Sequence, residues 1–281
     1  MNTLAPARKN SRGRRLLAYD ILEPPHLRCS IDLTKLLPTD KERESFEKKW
    51  PHFYASDEAN KDVYKRKEDV LIYKSEQLIP SKRDKRPALL LVFGNPASHS
   101  VKSGMFFAFK GGGKENRFWK HLLKPSGILK LPVDTTKSAQ NLNAQRRDVL
   151  LNLQYESPYR IGLCVFISMP SPPGGTWGGV AGVQRLIGIR AMRRLEEAET
   201  ERIIKLSRKY VRKNGALVSF QKNAWNALRS NQDAPYKIEL ARSGKLVGTI
   251  KGNPDIPLLG VPPTRLAGPC RKILTNIPEL I

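Results

Sequence analysis

Apolar residues in this chain gather into short uninterrupted runs instead of alternating with polar ones. Ala88-Leu-Leu-Leu-Val-Phe93 is continuously apolar and stops at Gly94-Asn95-Pro96; residues 162–168 (GLCVFIS) repeat the pattern and again stop before Pro and Gly. Continuous hydrophobicity marks a strand buried on both faces, as in a parallel sheet covered by helices. Residues 216–220 form a third run, and residues 245–250 or 256–261 a fourth. Helical stretches fall between them, at 117–123, 139–151 and 195–213. The last has Glu196, Glu197 and Glu199 early and Lys205, Arg208, Lys209 and Arg212 late, an order that suits the helix dipole. This alternation predicts a three-layer α/β/α sandwich around a central four-stranded, mostly parallel sheet. Ligands are expected beyond the C-terminal ends of its strands.

The first 85 residues read differently, as polar and charge-rich sequence with only brief apolar stretches. Residues 41–50 predict a helix, with Asp40 as N-cap and Pro51 as its stop. Residues 62–73 suit a short helix or a strand, and 82–86 form a basic hinge. The expected organisation is a basic N-terminal arm with a helical extension over 1–85, then an α/β domain over 86–281.

Charge narrows the partner. Fifty Lys and Arg stand against 26 Asp and Glu, a formal net charge of +24, which attracts polyanions and points to nucleic acid. Arg8, Lys9, Arg12, Arg14 and Arg15 all precede the first acid, Asp20. They read as a phosphate-binding arm or an organelle transit segment, and without an apolar stretch they are not a secretory signal. Three distant cysteines, Cys29, Cys164 and Cys270, make no C-x-x-C pair and suit a reducing, cytoplasmic setting. No run approaches 18 apolar residues, so no membrane span is expected. The four histidines (His26, His52, His99, His121) are scattered, and neither metal nor cofactor is expected.

Candidate chemistry sits in the loops after the strands. After the first come the Gly94-Asn95-Pro96 turn, Gly104 followed by Phe106-Phe107, a Gly111-Gly-Gly-Lys114 flap, and Asn116-Arg-Phe-Trp-Lys120. GGGK by itself lacks the spacing of a phosphate loop. In combination, the turn, the aromatic pair and N-R-F-W-K resemble the mismatch-specific branch of the uracil-DNA glycosylase superfamily, over roughly residues 88–272. The resemblance implies a base-excision enzyme that hydrolyses the N-glycosidic bond of uracil or another damaged base. On that reading Asn95 positions the attacking water beneath the sugar and Phe107 stacks on the extruded base. Residues 116–120 begin a structural helix, and Ser168 takes the place where many members carry an Asn that reads uracil. The loop 257–270 is similar to the family's second motif. Val261 stands at its head against the base, Thr264 with backbone amides meets phosphates, and Arg265 and Leu266 are wedge candidates. Lys222, in Gln221-Lys-Asn-Ala-Trp225 after the third strand and similar to the family's strand-to-helix turn, meets a phosphate or is a solvated lysine.

The departures matter. Gly94 directly precedes Asn95, where the branch has one residue between. Ser168 is shorter than Asn. Val261 replaces a His or Asn whose preorganised donor typically supplies ~10²–10³ in rate. His99 is either a substitute electrophile or an ordinary loop histidine, and Trp177 is either a base-stacking side chain or a core anchor. Met169-Pro-Ser-Pro172 looks like the family's H-P-S-P loop, but at the wrong strand. Three functions stay open: a monofunctional glycosylase, a weakened module of the same fold that binds nucleic acid without excision, and an RNA- or ribosome-associated protein. The expected partner is duplex DNA with an extruded base, and the expected state a monomer. The decisive expectation is spatial: Asn95 and Val261 face each other across a pocket for one base, with Phe107 as a wall.

Overall fold

A computed structural model describes residues 15–22, 24–108, 115–133, 138–211 and 215–280. The four expected runs are strands: β5 (Ala88–Phe93), β6 (Arg160–Val165), β7 (Gly215–Ser219) and β9 (Asn253–Gly260), with β8 (Val247–Ile250) pairing antiparallel to β9. Both candidates for the fourth run are therefore strands. β6, β5, β7 and β9 are parallel and adjacent in that order.

The sheet is larger than expected, with nine strands instead of four. The added strands come from the segment expected to be a helical extension: β1 (Leu17–Ile21), β2 (His26–Asp32), β3 (Tyr64–Lys67) and β4 (Val70–Leu78). Their register is antiparallel, and β4 joins the parallel centre through Gln77↔Cys164 and Leu78↔Leu163. In β2, Leu27, Cys29 and Ile31 are buried while Arg28 is exposed, the period-two signature of a strand with one wet face. The charged positions of that alternation make the segment look merely polar.

The helix expected at 41–50 runs from Asp40 to Ala55. Its N-cap is Thr39, not Asp40: Glu42 N donates to Thr39 Oγ1 at 3.3 Å and Glu42 Oε2 accepts from Thr39 N, a reciprocal capping box. Pro51 lies inside it. The final turn is held by aromatic packing, with Phe53 buried against Trp50 and Tyr64 at centroid distances of 5.8 Å each.

Side chains of β5 alternate between two cores. Leu90 and Val92 point to the face covered by helix Ile189–Tyr210 through Leu195 and Ile203. Leu89, Leu91 and Phe93 point to the other, covered by the π-helical turn Phe118–Leu123 and helices Ala139–Leu151 and Ala267–Thr275. The chain leaving β5 passes to the second face and the chain leaving β6 to the first. Neighbouring parallel strands whose connections diverge in this way open a crevice at their C-terminal ends.

Candidate functional site at the strand ends

Register places five side chains in one row on the second face. Phe93 pairs with Val165 across β5 and β6. Continuing the register of the neighbouring strands by one residue, Glu76 of β4 stands beside Val165, Phe220 beside Phe93, and Val261 beside Phe220. On one side of Phe93 the row opens into a cavity of about 200 Å³, lined by Glu76, Phe93, Asn95, His99, Phe107 and Asn116 among others. That far exceeds the ~10–15 Å³ one water needs and falls short of the ~300 Å³ of drug-sized pockets. A single-ring ligand suits it.

Asn95 is oriented by its surroundings. Its Nδ2 donates to Met169 O at 3.1 Å and to Ser171 Oγ at 2.9 Å, while Ser171 Oγ itself donates to Pro172 O. Both partners accept, so the amide cannot be reversed, and Oδ1 remains as the acceptor for a water or ligand. The loop supplying these partners is zipped to the one carrying Asn95: Ser98 N donates to Ser171 O at 2.9 Å and Ser171 N to Pro96 O at 3.1 Å. Met169–Ser171 thus has a definite task after β6, as the holder of Asn95.

Phe107 forms an aromatic wall. Its ring stacks on Phe118 (centroids 4.1 Å, 20° between planes) and meets Phe93 edge-on at 5.0 Å. Its φ of +49° lies in the left-handed region, which a bulky residue adopts only when its surroundings impose it. Trp119 Nε1 contributes by donating to Phe106 O and Phe107 O, both at 3.1 Å. N-R-F-W-K therefore does more than start a turn: Phe118 backs the platform and Trp119 anchors its backbone.

Glu76 was not legible as a site residue. It is 2% exposed, lines the cavity, and its Oε1 has no hydrogen-bond partner among the described residues. Burial pushes its carboxyl well above the usual carboxylate range, so the neutral acid is favoured. His99 shares the cavity, half-buried, with Ser103 Oγ donating to its carbonyl at 2.8 Å.

Other expected residues lie elsewhere. Ser168 is fully buried on the first face, its Oγ 2.7 Å from Tyr73 Oη and its N donating to Glu199 Oε1 at 2.6 Å. Glu199 is paired with Arg202, which also holds Val165 O. Ser168 is thus a strut in a buried network and does not line the cavity. Val261 is buried too, its N donating to Ser219 O at 2.9 Å. The Phe93–Phe220 stack (5.0 Å, 23°) stands between it and the cavity, so Asn95 and Val261 do not face each other across a pocket. Trp177 packs edge-on against Phe53 at 6.0 Å, the core-anchor alternative. Lys222, the first residue of helix Lys222–Leu228, and Arg265 are exposed, and Thr264 and Leu266 half-buried, in segments that leave the same sheet edge as Asn95. The Gly111–Lys114 flap and the arginines and lysine at 8–14 lie outside the described residues.

Among the described residues no group of three or more His, Cys, Asp or Glu could hold a metal, and no helix is long and apolar enough to cross a membrane. No family model matches the chain, and no curated protein matches it.

Proposed function

We propose that this chain is a DNA glycosylase-like protein that binds duplex DNA and hydrolyses the N-glycosidic bond of uracil or another damaged or mispaired base. The observation that carries this reading is the cavity beside Asn95, with an aromatic wall at Phe107 and an amide whose oxygen is left to hold water. The four adjacent parallel strands are the part of the sheet that corresponds to the sandwich implied by the resemblance. The charge of +24 supplies phosphate affinity.

The extruded base enters the cavity and stacks on Phe107, at an unpairing cost of a few kcal/mol that is smallest for a mispaired base. Water held by Asn95 Oδ1 attacks the sugar carbon as the bond to the base breaks; the base leaves with the electron pair, the water's proton passes to solvent, and the base anion takes one up from solvent. Arg265 and Leu266 fill the space left in the duplex, while Thr264 and Lys222 meet phosphates.

A second reading is favoured by one observation. Val261, at the position of the family's electrophile, has no side-chain donor and is walled off by Phe220. The same cavity then captures a base without cleaving its bond. Incubating the protein with oligonucleotides carrying uracil, or a G·U mismatch, followed by alkali separates the two. Strand scission that disappears with Asn95→Ala supports the glycosylase. Tight, uracil-dependent binding without scission supports the module. Absence of both ends the proposal.

A further inference from the structure

We infer that Glu76, buried on the cavity wall with Oε1 unpartnered among the described residues, reads the polar edge of the ligand's ring. This inference rests on the base-binding reading above and assigns the specificity contact within that site.

The geometry comes from β4, which lies beyond the region of family resemblance. Pairing between β2 on one side and β6 on the other buries Glu76 at the sheet's C-terminal edge, two strands from Phe93. At about 4.8 Å per strand that separation is close to 10 Å; Val165 lies between them, and the carboxyl and the aromatic corner of Phe93 and Phe107 line the same cavity. A buried polar atom without a partner is rare, and leaving Oε1 unsatisfied is destabilising. Among the described residues no ion pair engages it: the histidine opposite in the β2 register, His26, is engaged at Val101 O, Lys74 on the same strand is exposed, and His99 lines the same cavity. A carboxyl kept neutral by an apolar site offers an O–H donor and a C=O acceptor side by side. That pair matches a ring edge with one N–H next to one carbonyl, as at N3 and O4 of uracil.

The chemistry divides the work. Phe107 holds any planar ring, Asn95 faces the sugar side, and Glu76 tests for a donor beside an acceptor. A missing donor leaves the acid's carbonyl unpaired, and such sites reject analogues lacking a hydrogen-bonding group strongly.

The test uses the full-length protein and three duplex probes opposite guanine: 2′-fluoro-2′-deoxyuridine, which resists cleavage, its N3-methyl derivative, and a tetrahydrofuran abasic analogue. Binding is read by fluorescence anisotropy for the unaltered protein, Glu76→Gln, Glu76→Leu and Phe107→Ala. Glu76→Leu is expected to weaken the uracil probe at least tenfold and leave the abasic probe unchanged. Glu76→Gln, which keeps a donor and an acceptor, stays within about threefold. The N3-methyl probe binds the unaltered protein weakly, and Glu76→Leu weakens it no further.

Three results overturn the inference, and they are distinguishable. If Glu76→Leu keeps the uracil preference while Phe107→Ala loses it, the base-binding reading stands and Glu76 is not its reader. Equal loss on uracil and abasic probes makes Glu76 a purely structural group. If the unaltered protein itself shows no preference for uracil over the abasic analogue, the base-binding reading falls and the inference with it.

Discussion

Glu76 and Val261 stand at opposite ends of the row that runs Glu76, Val165, Phe93, Phe220, Val261 across the sheet, and each is two strands from Phe93. At the Glu76 end the row opens into the cavity. At the Val261 end it is closed, because Phe93 and Phe220 stack and Val261 packs behind them. Place in a motif does not decide which residue touches a ligand; the volume of the neighbours does. A single aromatic, Phe220, shifts the usable space from the β9 side of Phe93 to the β4 side.

The most forceful way to break that contrast is to remove the wall. Phe220→Ala deletes a buried ring from the stack, and large-to-small changes of this kind destabilise by about 3–5 kcal/mol. Urea unfolding followed by tryptophan fluorescence should show a loss of that size. A loss below about 1 kcal/mol means the β9 side is already loosely filled, and the asymmetry between the two ends disappears.

The Glu76 end is tested through its linkage to protons. Glu76 is raised in the folded protein, while in the unfolded chain it titrates near ~4.3. Between those two values the folded state holds a proton that the unfolded state has released, so stability falls as pH rises. Each unit of that difference corresponds to about 1.4 kcal/mol. Glu76→Gln removes the dependence. It should therefore be more stable than the unaltered protein at pH 8, with the gain shrinking to nothing near pH 4, as read from thermal midpoints across that range. A gain that is flat with pH, or a loss at pH 8, is incompatible with a neutral buried acid.

A paired comparison separates wall from filler. Phe107 is half-buried and backed by Phe118. Phe107→Ala should weaken binding to a uracil-containing duplex by about 1–3 kcal/mol, the range for one base stacked on one aromatic ring. Val261→Ala should lower stability and leave binding unchanged. If the two variants weaken binding alike, the cavity extends past Phe220 and Val261 touches the base after all.

How much of this was readable in advance follows from where each signal lives. β5, β6 and β7 show up as continuous apolar runs because both of their faces are buried, and that condition is met by sequence-local composition. β1 to β4 do not, because Arg28, Lys65, Arg66, Lys67 and Lys74 stand at exposed positions that interrupt their apolar residues. Asn95 and Phe107 were legible because a turn at a buried strand's end and an aromatic pair survive without tertiary context. Glu76 sits in Lys74-Ser75-Glu76-Gln77, which looks solvated; its burial exists only once β4 is inserted between β2 and β6. Ser168 failed for the complementary reason: Tyr73 and Glu199, 95 and 31 residues away in the chain, draw it to the opposite face.

The smallest expected effect sharpens the contrast at the exposed margin of the closed end. Arg265 lies exposed in the loop that follows β9, just beyond Val261. If the closed end serves the DNA backbone while the open end serves the base, Arg265→Ala should weaken uracil and abasic duplexes by the same modest factor. It should also reduce the slope of log K against log salt by about 0.9, the counterion released by one phosphate contact on duplex DNA. Glu76→Leu should do the reverse, changing base preference and leaving the salt slope intact. The two slopes, measured by titration between 50 and 200 mM salt, a range over which such contacts are readily resolved at about this scale, test the division without structural work. An Arg265→Ala variant that alters uracil preference but not the slope places a base-reading group on the β9 side, and the row's two ends then no longer differ in kind.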